Sequence, residues 1–250
     1  MKICLAQTKP YTGDIGRNIQ RHLEFIDQVV AQEADMIIFP ELSLTAYEPK
    51  LARELAIRPG DPRLDIFQER SDEHQLIIGL GVPTVKGHHL FISMLVFQPQ
   101  QDHLIYSKKY LHADEEPFFE SGANFPVLDL DDHKPALAIC YEISIPEHAA
   151  TAFAHNATIY IASVVKFVSG LKKAFARLSE IAGNYKTPVL MANSVGTADN
   201  GICGGQSSIW NARGELVDQL NGLDEGILLF DTETGDSSAL LLPLSDASNS

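Results

Sequence analysis

Short apolar runs recur along this chain, each cut off by a proline, a glycine or a charged residue, and they are joined in two different ways. Ile3-Cys4-Leu5-Ala6-Gln7 ends at Lys9-Pro10, and Met36-Ile37-Ile38-Phe39 ends at Pro40. Between them Ile15, Ile19, Phe25, Ile26, Val29 and Val30 recur near helical spacing behind Asp14. This predicts a strand, a helix capped by Asp14 and a second strand, a β-α-β unit. Farther along, Phe91–Phe97 and His103–Tyr106 flank the polar turn Gln98-Pro99-Gln100-Gln101-Asp102 and read as a hairpin. Crossovers lay strands parallel and hairpins lay them antiparallel, so a chain that uses both builds mixed sheets.

The rest of the pattern extends this reading. A helical stretch around Arg63–His74 leads into Leu76-Ile77-Ile78-Gly79-Leu80, and Val127–Leu130 and Ala136–Cys140 are strand-like runs split by Asp131-Asp132-His133-Lys134-Pro135. Helices over Pro146–Asn156 and Leu171–Tyr185 alternate with strands at Thr158–Ala162 and Val189–Ala192. Ser207–Trp210, Leu216–Leu220 and Ile227–Phe230 form a closing meander. No repeat or low-complexity linker divides the chain. We expect one α/β domain over residues 1–232, built as two mixed sheets face to face with helices outside, and an acidic, poorly structured tail over 233–250.

Composition narrows the functional classes. The 250 residues are 45% hydrophobic and carry 19 Lys+Arg against 33 Asp+Glu, a net charge of −14. That is too apolar for a disordered chain, and its sign repels phosphate backbones, so no nucleic-acid partner is expected. Asp224, Glu225, Asp231, Glu233, Asp236 and Asp246 concentrate part of the charge near the C-terminus. No run of eighteen apolar residues predicts a membrane span, and no signal peptide is expected. Three cysteines cannot all pair, which favours a reducing, cytoplasmic setting.

Several side chains stand where chemistry is done in α/β proteins. Cys140 closes the run Ala136–Ile139 just before Tyr141-Glu142 and the helix begun near Pro146, a strand-to-helix elbow. Glu41 emerges where Ile37-Ile38-Phe39-Pro40 ends, and a thiol needs such a base to attack at neutral pH. Lys108-Lys109 follows another strand; paired lysines are usually a solvated surface, yet a lysine beside a cysteine favours the thiolate and holds an oxyanion. His112-Ala113-Asp114-Glu115-Glu116 contains zinc- and manganese-type ligands, but the chain has no H-E-x-x-H and its one adjacent histidine pair, His88-His89, falls in a turn. Gly201-Ile202-Cys203-Gly204-Gly205 lacks the lysine and spacing of a phosphate loop. The reading therefore contains no metal and no cofactor.

Taken together, Glu41, Lys109 and Cys140 resemble the Glu-Lys-Cys set of the nitrilase superfamily, the carbon–nitrogen hydrolases. The matching stretches are Phe39-Pro40-Glu41-Leu42, Lys108-Lys109-Tyr110-Leu111, and Ala138-Ile139-Cys140-Tyr141-Glu142 followed by Pro146-Glu147. Met191–Gly196 and Gly205–Gly214 resemble the later strands of the family, so the matches run in order over residues 2–230.

The resemblance implies an α-β-β-α sandwich assembled as a homodimer or higher homo-oligomer. It also implies an amidase-type activity on a small amide or carbamoyl compound, with nitrile hydrolysis as the close variant and a non-catalytic binding protein as the rival. In that scheme Glu41 is the base and Cys140 the nucleophile, while Lys109 and the Tyr141 backbone N–H hold the oxyanion. A second glutamate maps to Glu116, seven residues after Lys109, with Glu115 as its competitor. Branches of the family acting on acid-bearing substrates often carry a basic residue soon after the cysteine; Ile143-Ser144-Ile145 offers none, and Lys166 is the substitute expected to supply positive charge at the pocket. Three loops, Thr45–Leu51, Ala113–Asn124 and Lys166–Gly170, are expected to shape that pocket.

Overall fold

The computed structural model describes residues 1–123, 127–130, 132–199 and 201–243. Its first unit is the expected crossover. Strand β1 (Lys2–Gln7) leads through helix α1 (Ile15–Val30) to β2 (Met36–Ile38), which lies parallel to β1. The Asp14 side chain accepts a hydrogen bond from the Arg17 amide at 3.0 Å, satisfying one of the helix's orphan donors. A short helix α2 (Ala52–Leu55) and α3 (Asp65–His74) precede β3 (Ile77–Lys86), which is parallel to β2. The hairpin partners β4 (His89–Phe97) and β5 (Leu104–Ser107) then add antiparallel strands.

The second sheet starts with β6 (Pro135–Ile139), helix α4 (Pro146–Ala154), β7 (Ile159–Val164), helix α5 (Leu171–Tyr185) and β8 (Val189–Asn193). Its three strands are parallel, and β11 (Ser208–Trp210) and β12 (Leu216–Gln219) extend it antiparallel. A small hairpin, β9 (Val195–Ala198) with β10 (Gly201–Gly204), stands apart. The chain returns to the first sheet as β13 (Gly226–Asp231), antiparallel to β1. The result is the expected α-β-β-α sandwich of two mixed sheets.

Burial explains the apolar runs. Along β1, Ile3 and Leu5 pack into the core shared by the two sheets, whereas Cys4 and Ala6 face the cluster under α1 and α3. Strands covered on both faces have no polar side to present, so they read as continuous apolar segments. The Arg21 guanidinium of α1 meets Glu225 at 2.9 Å in the interior, which pins the helix to the returning chain before β13.

Two expectations change. The tail drawn from residue 233 cuts through a hairpin: Ser237–Leu241 forms β14 and pairs antiparallel with β13. The acidic segment Asp231–Asp236 is its turn, with Gly235 at φ +77° and the Gly235 amide donating to the Asp231 carbonyl. Charge in a tight turn looks the same in sequence as charge in a tail. Val127–Leu130 forms isolated bridges, Val127 with Ala136 and Leu130 with His133, in place of a regular strand. Asn124, Asp131 and residues 244–250 of the expected tail, Asp246 among them, lie outside the described residues.

Candidate active site

Glu41, Lys108, Glu115 and Cys140 come from four separate segments and meet at one end of the sandwich. Glu41 lies in the turn after β2. There Leu42 takes φ +50°, and Gly81 of β3 is glycine because a Cβ would collide with the backbone of Pro40–Leu42. Behind this turn the buried His22 ring bonds the Ser43 hydroxyl at 2.9 Å, and burial pushes its pKa down to about 3, so it is neutral. Ser163 of β7 donates to the Phe39 carbonyl at 2.8 Å and locks the two sheets together beside the site.

Cys140 follows β6 directly. Its φ of +43° belongs to the left-handed region that non-glycine residues avoid, and a 3₁₀ turn over Cys140–Ser144 carries the chain into α4. This is the strand-to-helix elbow the sequence predicts. The Cys140 thiol donates to the Val165 carbonyl at 3.4 Å. Arg177 of α5 holds the elbow by donating to the Ile143 carbonyl at 3.1 Å.

The lysine of the cluster is Lys108, not Lys109. The fully buried Lys108 ammonium donates to Glu41 Oε1 at 2.8 Å and to Glu115 Oε1 at 2.7 Å. Strand alternation is the reason. Tyr106 of β5 points into the core between the sheets, Lys108 two residues on shares that face, and Lys109 turns away with its ammonium near the Tyr110 ring. The second glutamate shifts with it: Glu115 is buried and Glu116 is exposed. Glu115 Oε1 also accepts from the Tyr47 hydroxyl at 3.0 Å, and Oε2 accepts from the His112 amide at 2.8 Å. The seven-residue spacing between lysine and glutamate holds, moved by one position.

Electrostatics define what each group is at rest. Burial pushes the Cys140 thiol up to about 11, with Glu41 raising it further and Lys166 and Lys108 pulling it down, so the resting sulfur keeps its proton. Burial also raises the Glu41 carboxyl above its ordinary value, against the pull of Lys108. Burial alone would strip Lys108, but Glu41, Cys140 and Glu115 outweigh it and the ammonium is held above its usual range. Glu41 Oε2 is buried and has no hydrogen-bond partner among the described residues.

Glu142, two residues after Cys140, is a residue that sequence reasoning gave no role. Its Oε1 accepts from the Lys109 amide at 2.7 Å and the Tyr110 amide at 3.3 Å. Its Oε2 accepts from the Ile139 amide at 2.8 Å and the Tyr106 hydroxyl at 2.6 Å, with His148 Nε2 at 3.4 Å. One carboxylate thus ties the segment carrying Lys108 to the elbow carrying Cys140. Burial pushes Glu142 up, but His148, Tyr106 and the Ile139 amide outweigh this and hold it below its ordinary value.

A cavity of about 460 Å³ opens over Cys140, lined among others by Tyr47, Lys50, Glu115, Tyr141, Lys166 and Phe167. All three expected loops contribute to its wall. The Tyr141 ring packs edge-on against His112 at 5.0 Å. Asn193 fixes the Lys166 backbone from both sides, accepting from its amide at 2.8 Å and donating to its carbonyl at 3.2 Å. A larger cavity of about 640 Å³, between α3 and the outer face of β4 and β5, holds none of the four clustered residues.

The family model described as carbon-nitrogen hydrolase matches residues 2–238. The chain belongs to the carbon–nitrogen hydrolase family. Within this family, the glutamine-dependent NAD(+) synthetase of Acinetobacter baylyi is 29% identical over 233 residues, covering 90% of this chain and 42% of the synthetase. The chain thus spans less than half of that relative, and 43% of a second such synthetase from Aquifex aeolicus. Among solved structures, Saccharomyces cerevisiae Nit3, a member of branch 10 of the nitrilase superfamily, superposes with TM-score 0.84 at 18% identity, covering 93% of this chain and 90% of its own. The family match over residues 2–238 establishes the family, and the superposition on Nit3 the fold.

Proposed function

We propose that this carbon–nitrogen hydrolase is an amidase-type enzyme cleaving a small amide or carbamoyl compound through a thioester on Cys140. What carries the reading is the Lys108 ammonium bridging Glu41 and Glu115 beside Cys140, with one oxygen of Glu41 left unpartnered among the described residues. A thiol pushed up to about 11 does not ionise unaided at neutral pH, so the nucleophile needs a base within the same enclosure.

In this mechanism Glu41 takes the thiol proton as sulfur attacks the carbonyl carbon. The carbonyl π electrons move to oxygen, and Lys108 with the Tyr141 backbone N–H stabilises that oxyanion. The C–N bond then breaks, Glu41 returns the proton to the leaving nitrogen, and ammonia or an amine departs. Water attacks the thioester, losing a proton to Glu41, and the acid leaves as the sulfur regains its proton. Glu115 and Tyr47 orient Lys108. Lys109 and Glu116 have no part in this scheme.

Nitrile hydrolysis to the acid uses the same sulfur and remains the second reading, while a binding protein on this fold would have no need of the unpartnered Glu41 oxygen. We further read the enzyme as cytoplasmic, supported by three free cysteines, and as a homodimer or higher homo-oligomer, supported by family membership. Among the described residues no helix is long and apolar enough to cross a membrane. The test is ammonia release over short aliphatic amides, ω-amides, N-carbamoyl compounds and nitriles. Turnover that disappears in Cys140→Ala, with the fold retained by circular dichroism, supports the reading. Turnover that survives in Cys140→Ala refutes it.

A further inference from the structure

We infer that Asn18 and His22, two buried polar residues one turn apart on helix α1, are positioning residues for the reaction: they hold the turn that carries Glu41. The inference rests on the hydrolase reading above. It gives a role to an outer helix that contributes no residue to the wall of the Cys140 cavity.

The buried face of α1 is mainly apolar, through Ile15, Ile19, Phe25, Ile26 and Val29, yet Asn18 and His22 lie on it at 1% exposure each. A buried amide or imidazole is costly unless it is bonded, so their bonds say what they are for. Asn18 Oδ1 accepts from the Tyr11 amide at 2.7 Å, and its Nδ2 donates to the Tyr11 carbonyl at 2.8 Å and to the Leu44 carbonyl at 2.9 Å. His22 Nδ1 lies 2.7 Å from the Asn18 carbonyl, which can only accept. The neutral ring therefore carries its proton on Nδ1, and Nε2 accepts from the Ser43 hydroxyl at 2.9 Å. Ser43 Oγ in turn accepts from the Gly81 amide of β3 at 3.3 Å. The His22 ring also stacks on Phe39, with centroids 4.0 Å apart.

These contacts fall on residues 39, 43 and 44, and so bracket Glu41 from both sides. The turn needs such a hold. Leu42 sits in the left-handed region at φ +50°, and Glu41 Oε2 is buried without a hydrogen-bond partner among the described residues. Backbone strain and a desolvated oxygen both favour a turn that opens toward water. Apolar packing is non-directional and resists that shift poorly, whereas bonds of fixed geometry resist it well. A misplacement of about 1 Å in a reacting group costs on the order of 10²-fold in rate, which sets the size of effect to look for.

The experiment compares the full-length enzyme with Ser43→Ala, His22→Phe, His22→Gln and Asn18→Leu, on the best-hydrolysed amide of the ammonia-release panel. His22→Phe keeps a ring against Phe39 and removes only the acceptor, while the amide oxygen of His22→Gln can still accept from Ser43. Ser43→Ala, His22→Phe and Asn18→Leu should each lower kcat by about 10- to 100-fold with KM within about threefold, the split expected when an interaction made only in the transition state is weakened. His22→Gln should recover most of the loss. Unchanged kcat in Ser43→Ala and His22→Phe, with only the urea midpoint lowered, makes the seam merely structural and overturns the inference while leaving the hydrolase reading intact.

A second arm is independent of turnover. The Glu41 carboxyl is titrated by NMR in enzyme labelled with ¹³C-carboxyl glutamate, its resonance identified by its loss in Glu41→Gln. Lys108, Glu115, Cys140, Lys166, Tyr47 and Cys203 are the titratable groups whose charge bears on Glu41, and every variant retains them. Burial is the largest cause of the raised Glu41 value, so a turn that opens should bring its midpoint down toward 4.5 in Ser43→Ala and His22→Phe, and His22→Gln should return it. A Glu41 titration that ignores both substitutions contradicts the inference. If the unmodified enzyme hydrolyses nothing on the panel, the hydrolase reading fails and this titration alone decides whether α1 holds Glu41.

Discussion

Two buried carboxylates flank the end of β5, and they differ in how completely they are satisfied. Glu142 spends both oxygens, on three backbone amides and the Tyr106 hydroxyl, and is held below its ordinary carboxyl range. Glu41 spends one oxygen on Lys108, leaves the other without a hydrogen-bond partner among the described residues, and is raised. The same side chain is a rivet in one place and, in the mechanism we propose, a proton acceptor in the other. A satisfied carboxylate has nothing left to offer a substrate, whereas an unsatisfied one is costly to the fold and available to chemistry.

The largest effect that tests this contrast comes from the adjacent lysines. Lys108→Met should lower kcat/KM by at least about 10³-fold, since it removes the proposed oxyanion donor and leaves two carboxylates facing each other. Lys109→Met should stay within about threefold of the unmodified enzyme, because only its backbone amide is used. Steady-state kinetics on the pair checks both.

Next come the two glutamates. Glu41→Gln keeps an acceptor for Lys108 and should abolish turnover with a modest change in stability. Glu142→Gln should cost about 2–4 kcal/mol in urea unfolding, because its amide group would face the Ile139 N–H or the Tyr106 hydroxyl where an acceptor is required. Equal stability losses in the two variants would erase the distinction between them.

The same pair predicts opposite pH behaviour. Glu142 has a depressed folded-state pKa, so its contribution is present above the unfolded value and is lost as pH falls through the folded one, below 4.5. Glu41 is raised, so its relative contribution to stability is present below the unfolded value and is lost as pH rises through the folded one. In the proposed mechanism Glu41 must be ionised to act as base, and kcat/KM should therefore fall on the acid side with a midpoint above 4.5. Acid unfolding attributable to Glu142 should begin lower and vanish in Glu142→Gln. A pH–rate profile alongside urea unfolding at each pH checks the order. The smallest effect is Tyr106→Phe, which removes one partner of Glu142 and should cost about 1–2 kcal/mol with Glu41 untouched.

Much of this was readable from the chain. The mixture of crossover and hairpin dictated two mixed sheets, and Glu41 and Cys140 announced themselves by ending apolar runs. Lys109 and Glu116 missed by one position because periodicity near a strand end gives the register only if parity is carried from a known core residue. Tyr106 was that residue, and counting two on from it reaches Lys108. Glu142 was hidden by its neighbour Cys140: nothing local indicates that its carboxylate reaches across to the amides of residues 109 and 110. Strand β14 was masked by the acidic turn before it, and the cavity depends on loops whose meeting no local pattern encodes.

The most direct measurement is rapid-quench intact mass of the enzyme during turnover of a hydrolysed amide, with peptide mapping. The account predicts an acyl mass on Cys140 that forms as ammonia is released and decays with water, and that is absent in Cys140→Ala. Ammonia released with no acyl group ever found on Cys140, under conditions that trap a known thioester, would contradict it.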